Sequence, residues 1–298
     1  MTAWWRRRIT GKVAGRERGP LKEGEGMTHV GSLSCVGLGM MLGAHLSPRS
    51  KAYIEQADVV FVLVSDPLVE LWVKELRPDM RSLQPFYGSG TADGKARSET
   101  YREMVDAMLA EVAAGNRVCG VFYGHPGVFA LVPHKAIAEA RGAGYAAVME
   151  PGISAEDCLY ADLGIDPGTV GCQHFEAGQF VTHSRSVDLA AYLVLWQVAV
   201  VGDQTTRRFE IGPAYRELLV DVLEHSGYRR DHQAIVYEAA TLPISEPRAD
   251  RIRLGDLPRT ELRLQTTLVI PPAQSMQRNQ AVLDRIAALD RLAGIHVS

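Results

Sequence analysis

The apolar run RVCGVFY, residues 117–123, limits the possible folds more than any other stretch of the chain. Its apolar residues do not alternate with polar ones, which is typical of a strand covered on both faces, as in a parallel sheet. The preceding segment, residues 98–116, carries apolar side chains at helical spacing and ends at Gly115-Asn116, where a helix C-cap belongs. This order predicts a helix followed by an inner strand of an α/β sheet, with helices on either side.

The stretch from residue 31 to residue 150 shows strands and helices in βαβα succession. The predicted elements before residue 98 are SLSCVGLG (strand), PRSKAYIEQA (helix), DVVFVLVSD (strand), LVELWVKEL (helix) and MRSLQPF (strand). We therefore expect residues 31–150 to form an N-terminal α/β subdomain with a mainly parallel sheet.

The pattern changes after residue 150. The predicted strands GCQHFEA, AAYLVLWQVAVVG, HQAIVYEAAT and ELRLQTTLVIPP are separated by longer segments, with a helix at PAYRELLVDVLEHSG. This predicts a second α/β subdomain with a mixed sheet over residues 151–272. Residues 273–298 predict one amphipathic helix, which we expect to pack on the protein body. Its apolar stripe is formed by Val282, Ile286, Leu289 and Ala293, and Gly294 is its predicted cap.

Charge separates the start of the chain from the rest. Residues 1–30 hold seven Lys/Arg against three Glu, so the net charge of −3 leaves about −7 for the remainder. An acidic body does not fit a nucleic-acid binder. Residues 1–30 show no periodicity and predict a flexible basic leader, with a tag-like leader or a true start at Met27 as the alternatives. The chain lacks an apolar stretch of membrane-spanning length and a signal-peptide pattern, which predicts a cytoplasmic protein.

The cysteines and the potential metal ligands are scattered through the sequence. Cys35, Cys119, Cys158 and Cys172 show no CxxC or paired Cys/His spacing. We expect small buried thiols, neither disulfides nor metal ligands. No His/Asp/Glu pair has ligand spacing on one face, so no metal is predicted.

The corner that ends the run RVCGVFY is the first candidate for chemistry. A strand that ends in Tyr-Gly-His-Pro-Gly, residues 123–127, places a loop at the carboxyl edge of a parallel sheet, where such sheets bind ligands. Its glycines permit close backbone approach, and Val128 with Phe129 provides a flat apolar wall. The alternative is a demanding turn that buries the phenylalanine, with His125 as an ordinary turn histidine.

Two other segments reach the same predicted edge. VGLGM, residues 36–40, follows a strand, and with Gly43 it is one residue off the dinucleotide fingerprint. A tight turn with close packing explains it equally well. EPGISAEDCLYADLGIDPG, residues 150–168, predicts another loop with glycine and serine at this edge.

The order and spacing of these stretches, with LVLWQV near residue 197 and TTLVIPP near residue 270, resemble the tetrapyrrole methylase superfamily over residues 31–272. The sequence YGHPGVF, with PGISAEDCLYADLGIDP and GCQHFEA, is similar to the borosin group, which methylates backbone amides of peptides. The resemblance implies two α/β domains with S-adenosylmethionine (SAM) in the cleft between them, S-adenosylhomocysteine as product, no metal, and a homodimer.

The resemblance also implies site residues. The implied cofactor contacts are Tyr123, His125, Val128, Phe129, Ser154, Ala155, Gln197, Ala240, Thr266 and Thr267. The implied catalytic residues are Tyr87, Arg97, Tyr101 and Tyr123, in PFYG, GKARSETY and the corner. The chain departs from the borosin pattern by an insertion near SGTAD, between Tyr87 and Arg97, and by Leu83 at a tyrosine position.

Several of these residues could also have a purely structural role. Arg97 and Tyr101 are four apart, so they share a helix face and could grip one carbonyl oxygen, but a solvated helix start shows the same spacing. Ser154 and the two threonines could equally cap local backbone at strand ends.

Four functions compete at this point. The first is SAM-dependent N-methylation of peptide backbone amides. The second is methylation of a tetrapyrrole ring, which would need a wider, more cationic cleft. The third is a non-catalytic adenosyl-binding partner protein, and the last is an NAD-dependent oxidoreductase, against which the imperfect glycine fingerprint counts.

The length of the segment after Pro272 indicates whether the substrate is part of this chain or a separate peptide. Only 26 residues follow Pro272, and most of them fit the predicted helix. In the fused borosin proteins the tail is itself the substrate. Residues 295–298 are too short to reach a cleft, so we expect a separate precursor peptide as substrate.

Overall fold

The computed structural model describes residues 30–64, 66–87, 95–205, 208 and 211–293. Within them lie two five-stranded sheets and the helices that cover them. The predicted leader up to residue 29, most of the predicted insertion at residues 88–94, and the predicted cap Gly294 with the tail at 295–298 lie outside the described residues.

The first sheet is parallel throughout and has the order β3-β2-β4-β1-β5. Its strands are β1 Ser32–Gly37, β2 Val59–Leu63, β3 Arg81–Ser82, β4 Arg117–Phe122 and β5 Ala146–Glu150. The run RVCGVFY forms β4, which pairs with β1 on one side and β2 on the other. Its unbroken apolar character therefore reflects a central strand covered on both faces, as predicted.

Helices cover both faces of the first sheet. They are α1 Pro48–Gln56, α2 Pro67–Leu76, α3 Arg97–Ala113 and α4 Leu131–Gly142. Side chains of β2 show the division, because Val59 and Phe61 pack in the core cluster that includes α3 and α4, whereas Val60 and Val62 pack in the cluster that includes α1 and α2. This two-faced burial is why the strands read as continuous apolar runs.

The second sheet is mixed and has the order β6-β7-β10-β8-β9. Its strands are β6 Cys172–Glu176, β7 Tyr192–Trp196, β8 Gln233–Glu238, β9 Arg248–Arg253 and β10 Thr267–Ile270. The first two pair in parallel, and the remaining neighbours pair antiparallel. Helices α7 Ala177–Thr182 and α8 Pro213–His225 pack on one face of this sheet. The two kinds of sheet confirm the predicted fold class, while the boundaries of the two subdomains stay a prediction.

Several elements differ from the prediction. The segment at 150–168, expected as a loop, contains helices α5 Ala155–Leu163 and α6 Pro167–Val170. Ser154 and Asp166 start these helices by accepting hydrogen bonds from backbone N–H groups. The predicted strands near residues 197 and 265 are shorter, because β7 ends at Trp196 and β10 begins at Thr267. Strand β9, helix α4 and helix α7 were not predicted.

The last helix, α9 Gln280–Leu292, forms where predicted, but its apolar stripe does not pack on the protein body. Val282 and Ile286 are each 48% exposed and Leu289 is 64% exposed. The expectation was wrong because an apolar stripe shows that a helix favours a partner surface but does not say which surface is within reach.

All four cysteines are free thiols, and they differ in burial. Cys35 and Cys119 are buried as predicted, and burial raises the pKa of both thiols, that of Cys119 to about 12. Cys158 and Cys172 are only partly buried, which corrects the expectation for that pair.

Membrane-spanning helices and metal-binding groups are both absent from the described residues. No helix among them is long and apolar enough to cross a membrane. The same part of the chain holds no group of three or more His, Cys, Asp or Glu side chains placed to bind a metal ion.

Candidate active site

Three loops meet through glycine at the carboxyl edge of the first sheet. A Cβ added to Gly37, at the end of β1, would lie 2.2 Å from the carbonyl oxygen of Gly124, which follows β4. A Cβ added to Gly152, which follows β5, would lie 2.5 Å from the same oxygen. Side chains at these positions would therefore force the loops apart. Gly39 and Gly124 also exchange two backbone hydrogen bonds, of 3.1 and 2.9 Å.

The corner after β4 is stabilised by its own backbone conformation and by a hydrogen bond between its own residues. Gly124 has φ +63°, a conformation that glycine adopts without steric cost. The N–H of Gly127 donates to His125 Nδ1 at 2.8 Å, so one nitrogen of this predicted cofactor contact stabilises the turn itself. The buried-phenylalanine alternative is wrong, because Phe129 is 43% exposed.

The four predicted catalytic residues converge. Tyr87 ends a short helical turn, Arg97 begins α3, Tyr101 lies one turn further along, and Tyr123 follows β4. The rings of Tyr87 and Tyr101 meet edge to face with centroids 6.4 Å apart. Electrostatic coupling of Tyr87 to the other three side chains also places the four within one cluster, here called the tyrosine–arginine cluster.

Burial shapes the acidity of this cluster. Desolvation raises the pKa of Tyr87 well above its usual range, and the neighbouring Tyr101 adds to the shift. Desolvation also raises the pKa of Tyr123, with Tyr101 again the second cause, although about half of the Tyr123 surface is exposed. Both hydroxyls are therefore protonated near neutral pH, and the Tyr87 hydroxyl is already in a side-chain hydrogen bond with Tyr101.

Arg97 reaches across to a loop that follows the second sheet's strand β7. Its guanidinium lies 3.5 Å from Asp203 Oδ2 and donates to the carbonyl oxygen of Arg208. Burial raises the pKa of the Asp203 carboxyl, but hydrogen bonds from Thr205 and the Arg208 N–H, with the charge of Arg97, outweigh it and leave the pKa below its ordinary value. The carboxylate is thus ionised and fixes the arginine.

Asp203 did not emerge from the sequence. The Gly-Asp pair at 202–203 directly follows the apolar run of β7 and its neighbours, which is the same position that made the corner after β4 conspicuous. That position was the available signal. What links Asp203 to Arg97 is tertiary packing, since the two residues are 106 positions apart.

A second part of the candidate site, here called the wall, contains two residues with unusual backbone. Phe129 and Gln197 have φ of 50° and 56° and are the only non-glycine residues with positive φ among those the structure describes. The Phe129 ring packs on Trp196, with centroids 5.1 Å apart, so this contact joins the first sheet's loop to the second sheet. Strained backbone at Phe129, and at Gln197 directly after its partner Trp196, is typical of a functional site.

Three other predicted cofactor contacts serve local structure. Ser154 forms a reciprocal capping box with Asp157, as the alternative held, and Ala155 begins α5. The Thr266 hydroxyl donates to Glu238 Oε1 at 2.6 Å and accepts from the Arg263 N–H at 2.7 Å. Its hydroxyl group is therefore already engaged within the protein.

The remaining predicted cofactor contacts, Thr267 and Ala240, lie at the ends of strands in the second sheet, and strand direction brings these ends together. Thr267 begins β10, and β10 runs antiparallel to β7 and β8. Its start therefore lies beside the carboxyl ends of its neighbours. Ala240 follows β8, and the carbonyl oxygen of the next residue, Thr241, accepts from the Leu42 N–H at 2.9 Å.

The surface between the sheets fits the implied cofactor. Tyr123, Phe129 and Ile153 expose 53%, 43% and 39% of their surface at this edge. Clustered exposed apolar side chains mark a surface that an organic ligand can cover. A flat adenine suits such rings, and a sulfonium cation is attracted to the face of a tyrosine. A groove of about 350 Å³, lined by residues 44–47 and 151–153, opens beside it.

One protein family matches most of the chain. The family described as Tetrapyrrole (Corrin/Porphyrin) Methylases matches residues 32–253. The match includes both sheets up to β9 and most of the residues described above.

Similar proteins come from fungi. A Gymnopus fusipes protein, named methyltransferase/ribosomally synthesized cyclic peptide gymnopeptides precursor, is 38% identical over 87% of this chain and 61% of its own length. A methyltransferase/type I borosin cyclic peptide precursor from Coprinopsis marcescibilis is 41% identical over 81% of this chain and 62% of its own length. A type I borosin relative from Cerrena unicolor is 33% identical over 90% of this chain and 68% of its own length. The chain thus spans about three-fifths of the length of the first two relatives.

Solved structures share the fold at low identity. Uroporphyrin-III-C-methyltransferase from Thermus thermophilus superposes with a TM-score of 0.58 at 18% identity, covering 81% of this chain and 94% of that one. Cobalt precorrin-4 methyltransferase gives 0.56 at 17% identity, with 80% and 94% coverage. These structures share the fold alone, whereas the family match over residues 32–253 and the 33% identity to the Cerrena unicolor relative show the family. The chain belongs to the tetrapyrrole (corrin/porphyrin) methylases, in the group of the borosin methyltransferases.

Proposed function

We propose that the chain is a SAM-dependent methyltransferase that methylates backbone amide nitrogens of a ribosomally made peptide. The observation that carries this proposal is the tyrosine–arginine cluster, which gathers hydrogen-bond donors and one cation at the edge where the two sheets meet. A backbone amide is a poor nucleophile, because its nitrogen lone pair is delocalised into the carbonyl. Donors aimed at the amide oxygen address that difficulty.

The cofactor would lie along the wall of Val128, Phe129 and Gln197, with the backbone of the corner and of Ser154-Ala155 beneath it. When bound, SAM supplies an electrophilic methyl group on a sulfonium and becomes a neutral thioether. The proposal keeps Ala240, Thr266 and Thr267 as residues near this site, although the Thr266 hydroxyl is occupied by Glu238 and Arg263.

The cluster residues would act on the acceptor amide. Arg97, oriented by the ionised Asp203, would place positive charge beside the amide oxygen. That oxygen becomes negative as the N–H proton passes to solvent water and the nitrogen forms its bond to the methyl group. Tyr101 lies on the same helix face and donates to the same oxygen. Tyr123 holds its proton near neutral pH and serves as a further donor, while Tyr87 orients Tyr101 through their side-chain hydrogen bond. The rings of both tyrosines align the nitrogen with the methyl group.

The peptide as acceptor is supported by the names of the relatives, each of which joins a methyltransferase to a ribosomally synthesised peptide precursor. The proposal retains the expectation that the acceptor is a separate precursor peptide. It also retains the homodimer and the absence of a metal implied by the resemblance, which stay predictions.

Intact-mass measurement tests the proposal. The 298-residue chain is incubated with SAM alone, then with candidate precursor peptides chosen from short reading frames next to its gene, and in parallel with a uroporphyrinogen-type tetrapyrrole. We expect methyl-sized mass increments on the added peptide only, and fragmentation should place them on backbone nitrogens.

Other outcomes are decisive as well. Increments on the 298-residue chain itself would contradict a separate substrate while leaving peptide methylation intact. Increments on the tetrapyrrole and none on any peptide would overturn the proposed function.

A further inference from the structure

A chain of polar contacts lies behind the wall that Phe129 forms. The indole N–H of Trp196 donates to His174 Nδ1 at 3.1 Å, and the other ring nitrogen of His174 lies 2.8 Å from the Tyr160 hydroxyl. That hydroxyl donates to Glu156 Oε1 at 3.0 Å. The chain therefore runs from the wall through His174 to helix α5.

The direction of each hydrogen bond follows from its partners. An ionised Glu156 only accepts, so the Tyr160 proton points toward it. The Tyr160 oxygen then accepts from His174 Nε2–H, which leaves Nδ1 without a proton and able to accept from Trp196. Every contact in the chain is satisfied only when the imidazole is neutral and carries its proton on Nε2.

Protonation of His174 would disrupt one hydrogen bond of this chain, the one that Trp196 donates to Nδ1. The imidazolium carries a hydrogen on both nitrogens, so Nδ1–H would face the indole N–H of Trp196, donor against donor. Trp196 is 6% exposed, so water has little access to replace the lost acceptor. The indole would have to move, and Phe129 rests on it.

The same contacts tie the tryptophan to the strained wall. The rings of His174 and Trp196 are nearly parallel, with an interplanar angle of 18°, and the Phe129 ring packs on Trp196 with centroids 5.1 Å apart. Phe129 and Gln197, the residue after Trp196, are the two positive-φ residues of the wall. The backbone angles of Phe129 and Gln197 are unfavourable in isolation, so tertiary contacts such as those of Trp196 must hold them.

We propose that His174 is a positioning residue whose neutral form holds Trp196 and Phe129 in place for the cofactor, and whose protonation weakens cofactor binding. This inference rests on the proposed function, since it takes S-adenosylmethionine as the ligand of the wall. In this proposal His174 acts through Trp196, not through contact with the cofactor or the acceptor.

The groups around His174 set the direction of the pH dependence. Burial lowers the pKa of His174 below its ordinary 6.5, and the carboxylate of Glu156, at 3.6 Å, acts against that shift. The other titratable neighbours, Tyr160 and Cys172, have raised pKa values and stay neutral. Affinity should therefore be constant at higher pH and fall as the pH decreases through the lowered His174 pKa.

The test is calorimetric titration with S-adenosylhomocysteine between about pH 5 and pH 8. His174→Phe keeps a flat ring but removes the acceptor, and should bind roughly tenfold more weakly at every pH, because a buried donor is left unsatisfied. His174→Asn places an oxygen near the position of Nδ1 and cannot titrate. It should bind like the wild type at high pH and keep that affinity at low pH.

His183→Asn is the matched control, because His183 is exposed at the end of α7 and away from the wall. It should keep both the affinity and the pH dependence of the wild type. Thermal melting of each variant checks folding, and should His174→Phe not fold, the pH profile of His174→Asn decides alone.

Two results would overturn the inference: a His174→Asn protein with the wild-type pH dependence, or a folded His174→Phe protein with wild-type affinity. Failure of the wild type to bind S-adenosylhomocysteine at any pH is a different result, because it removes the proposed function itself.

Discussion

At the scale of single residues, Arg97 and Tyr101 matter most for the proposed reaction. Their interaction with the acceptor strengthens only as charge develops on the amide oxygen, so their loss should lower turnover and spare cofactor binding. We expect Arg97→Ala and Tyr101→Phe each to reduce the rate of methyl transfer by about 10²–10³, as for the loss of one oxyanion donor. Single-turnover kinetics together with calorimetry of S-adenosylhomocysteine separates the two effects.

A matched control comes from the same helix. Arg102 lies on α3 outside the cluster and pairs with Asp106 and Glu139 at the surface, so Arg102→Ala should leave the rate unchanged. Wild-type rates in both the Arg97 and Tyr101 variants would exclude the cluster from the chemistry.

At the scale of elements, the glycine contact between strand ends should be sensitive to a single methyl group. Gly37→Ala would place a Cβ 2.2 Å from the Gly124 carbonyl oxygen, which is backbone and cannot turn aside. The loops after β1 and β4 would have to separate. We expect about 1–3 kcal/mol of destabilisation, seen as a lower melting temperature, and weaker binding of S-adenosylhomocysteine.

The contrast is Gly142, at the end of α4, where an added Cβ meets nothing within 4 Å. Gly142→Ala should be neutral or stabilise by up to about 1 kcal/mol, because alanine is the better helix former. If the two variants melt at the same temperature, the close contact at Gly37 is not structurally important.

At the scale of the whole molecule, the two sheets are linked beside the proposed cofactor site. The links are the pair Arg97–Asp203, the ring contact Phe129–Trp196, and the hydrogen bond from the Leu42 N–H to the Thr241 carbonyl oxygen. A ligand that contacts both sides should stabilise both sheets together.

We therefore expect S-adenosylhomocysteine to raise the melting temperature of the whole chain in one cooperative step. At a concentration of 100 times its Kd, mass action gives about 2.7 kcal/mol of stabilisation. Differential scanning calorimetry measures this directly. Two separate transitions, of which only one shifts with ligand, would show that the cofactor is held by one sheet alone.

The sequence by itself determined much of the first sheet. Runs such as RVCGVFY and the helical spacing in residues 98–116 are local patterns, and burial on both faces leaves them visible without knowledge of any partner. The corner after β4 and the positions of Tyr87, Arg97 and Tyr101 could also be named, because motif and spacing are properties of short stretches.

Only the tertiary structure decided which distant residues meet. Asp203 reaches Arg97 across 106 positions, and His174 supports Trp196 across 22, while no local pattern marks either pair. The stripe of α9 was expected to be buried and is exposed, whereas the Ser154 segment was expected to be a loop and begins a helix. Hydrophobic periodicity reports what a segment can bury, but the contact that is made depends on which surfaces the rest of the chain brings within reach.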